Sequence, residues 1–168
     1  MKPELNLSPG WKRAVMMLLA VLCAAQVALA DEWSLKDRDG IQYKLSDEKG
    51  KWVLVNFWAP WCPPCLAEMP GLDALQKQHK DLLVIGVAVM YGKVQEVTDV
   101  VREKSLSYPI VLGNEDVASD FGGMNGLPTS FLYSPSGELV GHHEGPLTQN
   151  DVEQAIAQKP AAKKTFSR

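Results

Sequence analysis

Two apolar runs dominate the chain, WVLVNFW at Trp52–Trp58 and LLVIGVAVM at residues 82–90. Runs this long, rich in β-branched and aromatic residues, belong to strands covered on both faces. Between them the period changes. Leu66, Met69, Leu72 and Leu75 recur at helical spacing, behind prolines at 63 and 64 that suit the first turn of a helix. Pro70 falls inside this stretch and is expected to kink it. Upstream, residues 33–36 read as a short strand, Asp39-Gly40 as a turn, and Ile41, Tyr43 and Leu45 as the alternating face of a second strand. Residues 46–51 are polar and turn-like.

Downstream, residues 94–104 form an amphipathic pattern, 108–112 an extended one and 115–121 a short helix. Thr129–Tyr133 and residues 138–142 read as strands around a Ser136-Gly137 turn, and 151–158 as a terminal helix capped by Asn150. The order is β-β-β-α-β-α-β-α-β-β-α. It predicts an α/β fold with a central mixed sheet flanked by helices. Right-handed crossovers build its parallel part, and an antiparallel hairpin lies at one edge.

The first thirty residues follow a different grammar. Lys2, Lys12 and Arg13 precede an apolar run from 14 to 25, and Ala28-Leu29-Ala30 precedes Asp31. That order reads as a cleaved secretory signal peptide over 1–30. The alternative is an uncleaved anchor through residues 14–30, since the apolar stretch approaches the ~17-residue lower limit for a span. Cys23 lies in this stretch behind the bulky Leu22 and reads as an apolar filler. Export leaves a domain over 31–158 and a basic, solubilising tail over 159–168, for which weak contact with an anionic membrane is the alternative. The segment carries a net charge of +2, so the −3 of the whole chain becomes −5 for the remainder, and an acidic body argues against nucleic-acid binding.

Only Cys62 and Cys65 then remain, in a compartment where a dithiol can oxidise. A loop this short constrains the unfolded chain too little to act as a staple. A structural metal wants about four ligands, and beyond this pair the chain offers His79, His142, His143 and a few methionines. The two adjacent histidines point to opposite faces of a strand. A reactive dithiol fits the position best. Cys62 stands just before a helix N-terminus, where partial positive charge and free N–H groups favour the thiolate, the attacking species in disulfide exchange. Cys65, one turn on and more buried, is placed to resolve a mixed disulfide.

GKWVLVNFWAPWCPPCLAEMP and GLPTSFLYSPSGELV together resemble the exported thioredoxin-like reductases of the TlpA/ResA/CcmG family, over nearly all of residues 31–158. The resemblance implies a thioredoxin-like fold with an extra central strand and helix, expected within residues 87–104. It also implies a cis peptide at Pro128, a substrate-docking surface at Leu127 and Trp61 flanked by Pro60, and a carboxyl, Glu68, that handles the Cys65 proton. Ordinary thioredoxin resembles the chain at VNFWAPWCPPC but carries an acid where this chain has Asn56. Glu68 lies three residues after Cys65 on the same helical face, and burial there would raise its pKa.

The expected function is that of a periplasmic, monomeric protein-disulfide reductase without a cofactor. Cys62 attacks, Cys65 resolves and Glu68 manages the proton. Its expected partners are oxidised envelope proteins, such as the C-x-x-C-H of apocytochrome c or a copper-assembly factor, and a membrane electron donor of the DsbD/CcdA type. Three rivals stay open: a disulfide-forming oxidant or isomerase, a copper carrier using the dithiol, and a thiol peroxidase. The last would want a threonine where this chain has Ala59.

Overall fold

The computed structural model describes residues 32–158, so the expected signal segment, Cys23 and the basic tail lie outside the described residues. Among the described residues there are seven strands and four α-helices. They are β1 (Ser34–Lys36), β2 (Gln42–Lys44), β3 (Trp52–Trp58), α1 (Pro63–Gln78), β4 (Leu82–Ala88), α2 (Val94–Glu103), β5 (Ile110–Leu112), α3 (Glu115–Asp120), β6 (Thr129–Tyr133), β7 (Leu139–Glu144) and α4 (Gln149–Ala157). A short 3-10 turn over Leu45–Glu48 occupies the polar stretch before β3.

The strand with the most continuous apolar run takes the middle of the sheet. All seven residues of β3 are buried. It pairs in parallel with β4 and antiparallel with β6, and the full order is β5-β4-β3-β6-β7. The mixed sheet expected from the element order is what forms, and the antiparallel pair β6–β7 ends one side of it. The separate β1–β2 hairpin is fastened to the other edge. Arg38 N donates to Ile110 O at 2.8 Å, and Asp37 bridges to Val111. Residues 87–104, where the extra strand and helix were expected, hold the end of β4 and α2, with edge strand β5 following.

Burial on both faces requires a cover on each. Leu54 and Trp58 of β3 face a layer carrying Met69, Leu72 and Leu75 from α1, Val97 and Val101 from α2, and Val152 from α4. Val53, Val55 and Phe57 face the opposite way, onto Trp33 and Leu35 of the hairpin and onto Ala118 and Phe121 at α3.

Several element ends differ from the sequence expectation, for local reasons. β4 stops at Ala88, and two residues on Met90 takes a left-handed φ of +53°. The last helix begins at Gln149, and its cap is Thr148 in place of Asn150. Thr148 Oγ1 accepts from Asp151 N at 3.2 Å while Asp151 Oδ2 accepts from Thr148 N at 2.9 Å, a reciprocal capping box. α1 runs unbroken through Pro70, whose ring lies on the solvent side. Its buried face is Cys65, Glu68, Met69, Leu72, Asp73 and Leu75, so Leu66 is only half-buried and two acids are drawn inside.

Candidate active site: a dithiol at a helix start and a buried carboxyl behind it

β3 delivers the chain to Ala59, and the turn that follows places Cys62 as the N-cap of α1, with Pro63 and Pro64 as its first helical residues. Prolines are tolerated there because first-turn N–H groups have no helical partner. They leave Cys65 N as the first amide inside the turn, and it donates to Cys62 Sγ at 3.4 Å. Cys62 and Cys65 are joined as a disulfide. An amide donor and a helix N-terminus beside a sulfur are surroundings that favour a thiolate over a thiol.

The two sulfurs differ in access more than in burial, for Cys62 is 4 % and Cys65 0 % exposed. Cys62 lines an open groove of about 600 Å³, and Cys65 is not among its lining residues. Trp61, Pro64, Met90, Met124, Gly126 and Leu127 form much of the groove wall, which carries no charged side chain. Trp61 is 57 % exposed, and its indole Nε1 donates to Met90 O at 2.7 Å. The left-handed Met90 backbone turns that carbonyl toward the indole. Leu127–Pro128 is a cis peptide, as the resemblance implied. Trp58, by contrast, is fully buried core.

Behind Cys65 lies Glu68, 6 % exposed, so it is no solvated helix charge. Its Oε1 accepts from Asn56 Nδ2 at 2.8 Å and its Oε2 from Leu147 N at 2.6 Å. Burial drives its pKa from 4.5 up to about 7, against these two hydrogen bonds, which favour the carboxylate. Asn56 Nδ2 also reaches Ser130 Oγ at 2.9 Å, so β3, β6, α1 and the segment before α4 converge on one carboxyl.

Trp61, Cys62 and Leu127 therefore share the groove, while Cys65 and Glu68 stand behind it on one face of α1. In the sequence Asn56 is marked only as the residue standing where ordinary thioredoxin has an acid. Ser130 and the Leu147 amide join the site only through the fold. A polar residue inside WVLVNFW was the available signal for Asn56; a backbone amide 79 positions from its partner leaves none. Among the described residues no group of three or more His, Cys, Asp and Glu is gathered as metal ligands would be. His142 stacks on Phe131, with ring centroids 4.7 Å apart.

Relatives carry the same chemistry in their names. The chain is 35 % identical over 131 residues to the thioredoxin-like protein YneN of Bacillus subtilis, covering 76 % of each. It is 33 % identical to the thiol-disulfide oxidoreductase ResA of Geobacillus thermodenitrificans, over 76 % of this chain and 74 % of that one. A thioredoxin-family thiol:disulfide interchange protein from Chlorobium tepidum superposes with a TM-score of 0.67 at 29 % identity, over 75 % of this chain and 91 % of that one. Residues 28–142 match the AhpC/TSA family model, so the chain belongs to the AhpC/TSA family and is a thioredoxin-fold thiol-disulfide oxidoreductase.

Proposed function

We propose that the protein acts as a reductant of protein disulfides, with Cys62 as the attacking thiolate, Cys65 as the resolving thiol and Glu68 as its proton acceptor. The observation that carries the reading is the buried Glu68 carboxyl, one helical turn from Cys65 and poised near pH 7. A group with this pKa can take a proton and give it back at neutral pH. In the reduced protein the Cys62 thiolate attacks a substrate disulfide and one substrate cysteine leaves as thiolate. Cys65 then passes its proton to Glu68 and attacks the Cys62 sulfur. The mixed disulfide breaks, the Cys62–Cys65 bond forms, and the substrate departs with two reduced sulfurs.

Trp61, Leu127 and Pro128 dock the substrate segment. The uncharged groove fits an extended, apolar stretch around the target cysteine. The substrates are oxidised envelope proteins, with the C-x-x-C-H of apocytochrome c or a copper-assembly factor as the expected class. A membrane electron donor of the DsbD/CcdA type restores the dithiol. Export to the periplasm rests on residues 1–30; among the described residues no helix is long and apolar enough to cross a membrane.

The test is the equilibrium reduction potential of the purified protein in defined thiol buffers. A value below about −220 mV, toward the ~−270 mV of thioredoxin, is expected and makes it a reductant. A value near about −120 mV would reverse the electron flow and make it a disulfide donor.

A further inference from the structure

Where β4 ends, the chain takes a backbone turn that the residue standing there does not favour. Val89 N donates to Trp58 O at 2.9 Å, and Met90 follows with a φ of +53°. Among the described residues Ser105 is the other non-glycine residue with a positive φ. It stands just past Lys104, the C-cap of α2, where a left-handed residue commonly closes a helix. Met90 closes no helix. Glycine would adopt this backbone without steric cost, whereas methionine meets one, and such outliers gather at functional sites. Two residues on, Gly92 N donates to Glu96 Oε2 at 3.1 Å, which ties the turn to the start of α2.

What methionine adds over glycine is a side chain, and this one has no place in either core layer. Met90 is 53 % exposed and lines the same uncharged groove as Cys62. Its carbonyl accepts from Trp61 Nε1, so one residue both orients the exposed indole and stands beside it. Two of the four large apolar side chains left exposed among the described residues are thus coupled at the mouth of the dithiol. Met124 lines the groove as well, from the glycine-rich segment before Leu127. A thioether on an unbranched, flexible stem moulds itself to an apolar neighbour of any shape, which is why methionine recurs on binding surfaces.

We propose that Met90 is a specificity-determining residue for disulfide exchange. Its thioether receives an apolar side chain flanking the partner's target cysteine, and its carbonyl holds the Trp61 indole as the adjoining wall. This rests on the reading of the groove as the docking surface. It does not rest on the direction of electron flow, because a partner's dithiol and its disulfide carry the same flanking residues.

The experiment mixes the reduced full chain, in single turnover, with an excess of a cyclic peptide whose disulfide is flanked on both sides by leucine. The same peptide with asparagine in those places, similar in shape and uncharged, is the comparison. In the parent protein the leucine peptide should half-saturate the rate at about a tenth of the concentration the asparagine peptide needs, the scale of one apolar side chain leaving water. A parent ratio near one overturns the proposal. Met90→Asn should narrow the ratio to about twofold, because asparagine tolerates the left-handed backbone, keeps the carbonyl that Trp61 uses and lacks the apolar contact. Met90→Leu should restore the ratio. General damage to the groove would raise both half-saturation values together and leave the ratio at its parent value, which counts against Met90. If Trp61→Ala leaves both values in place, the docking reading fails and the proposal with it. If Trp61→Ala raises them while Met90→Asn keeps the parent ratio, docking stands and the role of Met90 is overturned. Should Met90→Asn not fold, Met90→Gly must narrow the ratio, and an unchanged ratio overturns the proposal. Should the protein prove to be an oxidant, the same ratio is read with the oxidised chain and the reduced peptides.

Discussion

The two faces of the central sheet are buried to the same degree and built on opposite principles. On one, Trp33, Phe57, Phe121, Phe131 and Tyr133 close ring against ring, with centroids 5.2 to 6.4 Å apart. On the other, Asn56, Glu68, Ser130 and Tyr108 are carried into the same kind of enclosure. The first face gains from the apolar area it buries, and aromatic pairs add to that gain. The second holds a carboxyl whose burial opposes its charge. β3 serves both, sending Val53, Val55 and Phe57 one way and Leu54, Asn56 and Trp58 the other. What separates stability from chemistry in this protein is the period of a single strand.

Phe57→Ala should break that division most visibly. Phe57 is fully buried and its ring lies 5.2 Å from Phe121 and 5.8 Å from Phe131. Truncation should cost about 3–5 kcal/mol, by denaturant unfolding, through lost transfer energy and a cavity the neighbours cannot close. The reduction potential of the fraction that stays folded should not move. A shift in potential as large as the loss in stability would show that the two faces are not separable.

Glu68→Gln tests the other face, with the opposite sign. The folded-state pKa is raised to about 7 from 4.5, so between these values the native state binds more protons than the unfolded chain. Stability is then complete below about pH 4.5 and falls as pH rises through 7, by about 3 kcal/mol. Glutamine does not titrate. It can accept from only one of the two donors, Asn56 Nδ2 and Leu147 N, so its absolute stability is offset by the unmatched amide. The slope is the discriminating quantity: urea unfolding at pH 4, 6 and 8 should decline for the parent protein and stay level for the variant. A level parent profile would mean that Glu68 ionises as an ordinary surface acid does.

How far these faces can be read from sequence differs in the same way. Much of the aromatic face is written in the apolar residues of β3 and β6, and both strands fall where the sequence predicts them. The dithiol is legible because Cys-Pro-Pro-Cys has few structural meanings before a helix. Glu68 is legible as a position, three residues from Cys65, and its burial follows from the face that Met69 and Leu72 force inward. The remainder of the site is not. Tyr108 falls in a stretch that reads only as extended, and Asp73 bears no mark in the sequence. Only the fold shows that Asp73 reaches 34 positions along the chain to hold Ser107. Thr148 and Asn150 are both good caps. Asp151 decides between them, because only from Thr148 does it stand at the third helical position where the reciprocal bond can form.

That cap gives the smallest and sharpest probe of how the polar face is held. Thr148 follows Leu147, whose amide bonds Glu68 Oε2 at 2.6 Å, so the cap and the buried carboxyl are neighbours along the backbone. Thr148→Ala removes the hydroxyl that accepts from Asp151 N, and a lost cap costs about 1 kcal/mol. If the cap serves only α4, this loss is the whole effect. If it also fixes the direction of the Leu147 amide, a hydrogen bond that favours the Glu68 carboxylate weakens, and the Glu68 pKa must rise further. The pH profile of disulfide exchange should then move upward by a few tenths of a unit in Thr148→Ala. Asn150→Ala, inside the same helix and outside the cap, should leave the profile in place. An equal shift in both variants would assign the effect to α4 as a whole, and the line between the structural and the chemical parts of this face would have to be drawn elsewhere.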